Sequence, residues 1–208
     1  MLDKNFFKTY SHPMYGNVSV GYQPSAQGAM LEYASRYQIA AGILVKSMAR
    51  NTGKHDYDGC VIIFLYRHMI ELYLKAIISV GKDIFGLKEK SLEVSKKVLD
   101  GHILIKLLPI VKEIITEENS FPAIENNGIT WEILEVFIKE LHEIDKDSQA
   151  FRYPTNKNGN STRKKSFVLN IVEFAKTAEN IGNYFYDCGG YLRYTRDNAI
   201  ENFLEIKK

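Results

Sequence analysis

Residues 61 to 80 read VIIFLYRHMIELYLKAIISV, a run with the length and apolar character of a core helix. Four ionisable residues interrupt it: Arg67, His68, Glu71 and Lys75. At helical spacing 67, 71 and 75 fall on one stripe, with 68 beside 71. Charges on a core helix lose hydration unless something satisfies them. The stripe must therefore face a wet cleft or pair with charges from elsewhere in the chain. Candidate partners lie near His102 and Arg152.

The remaining chain reads as helices joined by polar turns. Pro24 and Ser25 precede a helix expected over 25–49, with Leu31, Ala34, Ala41, Leu44, Val45 and Met48 at helical spacing. The central helix is expected to start at Asp56 or Asp58 and to stop at Gly81. A short helix is expected over 87–98. Another opens at Gly101-His102 and runs to Ile115, kinked or broken by Pro109. Thr130 caps a helix over 131–150, whose apolar face is Ile133, Leu134, Phe137, Ile138, Leu141 and Ile144. A last long helix is expected over 166–186, ended by Gly189-Gly190. No sustained strand alternation appears. The expected fold class is all-α, an up-and-down bundle of four to five long helices. Residues 1–24 read as an aromatic arm, 25–188 as the bundle, and 189–208 as a tail with a short helix. Pro154 forces Tyr153 out of the helical region, and TNKNGNSTRKK reads as a flexible polar loop.

Composition narrows the function classes. At 208 residues, 45% hydrophobic and 25% charged, the chain suits one globular domain. A net charge of +2 is too small for general nucleic-acid affinity, although Arg163-Lys164-Lys165 makes a local basic patch. Cys60 and Cys188 form no metal or disulfide framework, and the N-terminal residues hold no signal-peptide apolar core. A reducing, cytoplasmic setting is expected, with no membrane span, no cofactor and no metal. Phe6, Phe7, Tyr10 and Tyr15 of the arm need a surface, on the body or on a partner subunit.

Three motifs occur in a telling order. Arg67-His68, Glu71-Leu72 and Leu74-Lys75-Ala76 come first. Gly101-His102, Leu104 and Leu107-Leu108 follow. Arg152-Tyr153-Pro154 comes last, after a long helix. In this order and separation they resemble the HEPN domain superfamily over roughly residues 30–186. The resemblance implies a helical bundle, usually a homodimer, in prokaryotic toxin–antitoxin or antiviral defence systems. It implies binding of RNA or a nucleotide, metal-independent RNA cleavage in some members, and a partner protein or antitoxin in others. The RNA-cleaving members carry an Arg, then four to six intervening residues, then a His, and two such motifs meet across the dimer. Arg152 stands where the family often places the Arg, but no His follows in range. Arg50-Asn51-Thr52-Gly53-Lys54-His55 matches literally, in a turn between helices. Seven Arg and five His give about half such a match by chance.

Three readings stay open for Arg67, His68, Glu71 and Lys75 together with Asp145, Asp147 and Arg152. They form an internal salt-bridge network, with Glu71 paired to Lys75 or Arg152 and Arg67 to Asp145 or Asp147. They line a polar pocket for a nucleotide or RNA phosphate, with Tyr66, Tyr73 or Tyr153 stacking a base. Or His68 or His102 works as acid/base beside Arg152. The runner-up function is a non-catalytic module that dimerises and holds a partner protein.

Overall fold

The computed structural model describes residues 26–50, 56–119, 128–146, 148–162 and 166–206. The aromatic arm, His55, Asp147 and Arg163-Lys164-Lys165 lie outside the described residues. Six helices follow in order: α1 (Ala26–Arg50), α2 (Asp56–Leu87), α3 (Lys96–Asp100), α4 (Leu104–Glu117), α5 (Trp131–Ile144) and α6 (Ile171–Ile206). Among the described residues there is no strand, only an isolated bridge between Thr155 and Ser161. The all-α expectation holds. No helix among the described residues is long and apolar enough to cross a membrane.

The run that opened the sequence reading is the hub. α2 packs against α1 and α6 on one side and α4 on the other, while α5 leans on α4. Ile62, Met69, Ile70, Leu74, Ile77 and Ile78 of α2 are wholly buried. A helix that is apolar nearly all round belongs inside a bundle.

Gly81 does not stop α2. The helix continues to Leu87, and Ile84 and Phe85 are buried. A Cβ at Gly81 would stand 2.5 Å from Ile114 Cδ1 of α4, so the missing side chain sets how closely α2 and α4 approach. Gly189-Gly190 do not stop α6 either. The helix runs on to Ile206, absorbing the expected short tail helix. Leu192 is buried, Leu31 of α1 packs where a Gly189 side chain would be, and Arg196 reaches Asp83 of α2 at 3.7 Å. Tertiary packing outweighs a helix-propensity cost of about 1 kcal/mol per glycine.

Other boundaries move for local reasons. α3 covers only Lys96–Asp100. α4 starts at Leu104 rather than Gly101, and it runs through Pro109 without a break. Thr130 does cap α5, its Oγ1 accepting from Ile133 N at 3.2 Å. α5 ends six residues early because Asp145 leaves the helical region at φ −146° and ψ 78°, and its Oδ1 accepts from Ala150 N at 3.0 Å. Ile133 and Ile144, expected on the buried face, are exposed. α6 starts five residues later than expected. Asn170 Oδ1 accepts from Val172 N and Glu173 N at 3.1 and 3.2 Å and satisfies its free amides. The polar loop after Pro154 contains a defined turn: Asn156 Oδ1 accepts from Asn158 N and Asn160 N, with Gly159 at φ +78°.

The glycines yield opposite expectations. Gly81→Ala forces a methyl onto buried Ile114 and should destabilise by about 1–3 kcal/mol. Gly190→Ala meets nothing within 4 Å, mid-helix, and should stabilise by about 0.5–1 kcal/mol. Urea unfolding midpoints of the two variants should move in opposite directions.

Candidate functional site

The α2 stripe folds onto a buried ionic cluster. Arg67 has 0% of its side chain exposed. Its Nη1 donates to Glu71 Oε2 at 3.2 Å, and its Nη2 to the His102 carbonyl at 2.7 Å. Its Nε stands 3.1 Å from Asp145 Oδ2, close enough for an ion pair although not aligned as a hydrogen bond. Glu71 Oε1 accepts from Lys75 Nζ at 2.9 Å and lies 2.8 Å from His102 Nδ1. One arginine thus ties α2 to the end of α5 and to the segment that leads into α4.

Electrostatics follow from this geometry. Burial alone would push the Glu71 carboxyl up. The hydrogen bonds and charges of Lys75 and His102 outweigh burial and hold it below its ordinary 4.5. His68, one residue from Arg67, packs edge-on to Tyr37 at 4.6 Å and stacked on Phe64 at 5.7 Å. Burial lowers its pKa from 6.5, opposed by Glu71 and reinforced by Arg152, Arg67 and His102. Arg152 is exposed, with its guanidinium carbon 5.1 Å from the Phe64 ring centroid. His102 keeps 44% of its side chain exposed.

Most of the expected site residues therefore meet. Arg67, Glu71, Lys75, His102 and Asp145 share one network, and His68 and Arg152 border it. The expected pairs Glu71–Lys75 and Arg67–Asp145 form, whereas Glu71 makes no bond to Arg152. Tyr153 is 54% exposed and its carbonyl accepts from Thr162 Oγ1, so its ring stands outside the network. Arg50 is an exposed residue ending α1. Tyr66 and Tyr73, expected to stack a base, instead point to the opposite side of α2. Their hydroxyls donate to Glu179 Oε1 at 2.9 Å and Gln38 Oε1 at 3.2 Å. Both rings are buried.

Sequence reasoning missed four things. It did not anticipate that Arg67 would hold a main-chain carbonyl, that Asp145 would end α5, or that Asn170 would start α6. It also missed Ser148, buried at φ +65° in the turn after Asp145. A cleft of about 400 Å³ between α1 and α6 lies away from the cluster, and its Gln38 is already bonded within it. Gln38 Nε2 donates to Asn183 Oδ1 at 2.9 Å and to the Glu179 carbonyl at 3.3 Å. The clustered histidines and Arg152 are better placed for chemistry.

No family model matches the chain, and no curated protein or solved structure shows significant similarity to it.

Two stability measurements follow. Arg67→Met leaves Asp145 buried without a cation and Glu71 with Lys75 alone, and should cost about 3–5 kcal/mol in urea unfolding at neutral pH. The second concerns pH. The unfolded chain protonates His68 at 6.5 and Glu71 at 4.5, above both folded values. Each contribution is complete above its unfolded value and lost as pH falls toward the folded one. Stability should decline in two windows, below 6.5 and then below 4.5. His68→Phe, which keeps the ring stack, should flatten only the upper one.

Proposed function

We propose that the chain is a HEPN-like RNA- or nucleotide-binding bundle whose ligand phosphate sits over the rim formed by His68, His102 and Arg152. The observation that carries this reading is their convergence. They come from sequence positions 34 and 50 residues apart, yet His68 and Arg152 both pack on the Phe64 ring, and His102 is held by Glu71, three residues along α2 from His68. Within the buried cluster two cations, Arg67 and Lys75, face two carboxylates, Glu71 and Asp145. Arg152 makes no ion pair among the described residues and is the uncompensated charge at the rim. An arginine fork is suited to a phosphate. An accessible His near neutral pH can take a proton from a ribose 2′-hydroxyl or return one to a leaving oxygen. The chemistry this supports is metal-independent cleavage of the RNA strand.

A second reading has its own observation. The far end of α6 exposes Tyr191, Tyr194, Ile200 and Leu204, and the segment before α6 exposes Phe167, Val168 and Leu169. Such apolar surface favours a docked protein, either a second copy or a partner of the antitoxin kind.

The two readings separate in one experiment. Labelled single-stranded RNA is titrated in EDTA at several salt concentrations. Arg152→Ala, an exposed change, should leave folding intact and weaken binding about tenfold or more. Its salt slope should shrink by about 0.7 for one lost phosphate contact. His102→Ala should abolish cleavage while retaining most binding. Equal weak binding by all variants would remove RNA from this rim and leave the docking module.

A further inference from the structure

His102 lies outside any helix, between α3 and α4, yet it is gripped twice. Arg67 Nη2 donates to its carbonyl at 2.7 Å, and Glu71 Oε1 meets its ring Nδ1 at 2.8 Å. Both gripping residues are buried on α2, one turn apart, and bonded to each other. The grip itself is therefore rigid: Arg67 is anchored by Asp145, and Glu71 by Arg67 and Lys75. The ring Nε2 has no partner among the described residues and the side chain is half open.

We infer that Glu71 is the positioning residue of His102, fixing the imidazole with its proton on Nδ1 and its basic Nε2 toward solvent. This inference rests on the reading of the rim as a phosphate site. The donors and acceptors available at the contact decide the tautomer. A carboxylate can only accept, so a neutral His102 facing it must carry the hydrogen on Nδ1. A neutral histidine in water favours the hydrogen on Nε2, which would leave no base at the rim. The buried carboxylate reverses that preference and holds the ring at one angle. Lys75 shares Oε1 with His102 but supplies no acceptor of its own, so it does not choose the tautomer.

Glutamine at 71 tests the assignment because it brings a donor. Arg67 is wholly buried and cannot turn away, whereas Lys75 keeps part of its side chain in solvent and can swing its ammonium to water, so the carboxamide oxygen faces Arg67. The NH₂ then faces His102, whose ring can answer by moving its hydrogen to Nε2.

The experiment is long-range proton–nitrogen NMR of the full chain above pH 8 without RNA, reading which nitrogen of His102 is protonated. The native protein should show the hydrogen on Nδ1, Glu71→Gln should move it to Nε2, and Lys75→Met should leave it on Nδ1. A native Nε2–H ring, or a Glu71→Gln spectrum like the native one, overturns the inference. Should Glu71→Gln fail to fold, the native tautomer and Lys75→Met decide it alone. RNA titration of Arg152→Ala is separate: loss of the RNA reading with the native tautomer on Nδ1 leaves the Glu71–His102 pairing standing. With cleavage present, Glu71→Gln should lower kcat about tenfold or more and leave KM nearly unchanged.

Discussion

Burial of the Arg67 guanidinium is the constraint around which this bundle is arranged. A cation with no exposed surface is tolerable only when its donors are matched, and Arg67 finds matches on three parts of the chain. Each match dictates something about the backbone. Glu71 holds its place one turn along α2. The His102 carbonyl brings the α3–α4 connection against α2. Asp145 breaks α5 and turns the chain so that Arg152 arrives near Phe64. Such a network adds little net stability over an apolar core but penalises every arrangement that leaves one member unpaired. Its contribution is to packing uniqueness as much as to energy.

The same network separates anchor from rim. Arg67, Glu71 and Asp145 are ion-paired through Arg67 and closed to solvent. His102 and Arg152 remain accessible, one held by a buried carboxylate and the other resting on an aromatic face. A rigid buried layer under a few accessible polar groups is the arrangement that catalytic and phosphate-binding sites need, because geometry set by packing is not lost when ligand arrives. The structural and the functional readings of the stripe are thus compatible: the first describes its floor and the second its surface.

On the other side of α2 the chemistry differs. Tyr66 and Tyr73 bind side chains of α6 and α1, and Gly42, Gly182 and Gly189 let α1 and α6 close on each other. A Cβ at Gly182 would come within 2.5 Å of Gln38 Oε1. This face is a packed seam whose polar atoms serve helix register.

What was legible in the sequence was whatever depends on local periodicity and residue chemistry. The all-α class, the six helical segments in outline, the Thr130 cap and the charged stripe at 67, 71 and 75 all follow from spacing of three and four residues. So did the short menu of partners, since a buried cation demands carboxylates and few were near. The tertiary structure decided where helices end and which atoms meet. Gly81 and Gly189-Gly190 read locally as stops, but buried neighbours at Ile114 and Leu31 make them contact points. Asp145 lies in a run that reads as helix, but it leaves the helical region and pairs with Arg67 across the core. Tyr66 and Tyr73 look like base-stacking rings until α1 and α6 cover them. Helix periodicity is a property of neighbours along the chain, whereas termination, burial and partner choice depend on groups far away in sequence. The contact between Glu71 and His102 belongs to that second kind, and it gives the histidine its orientation.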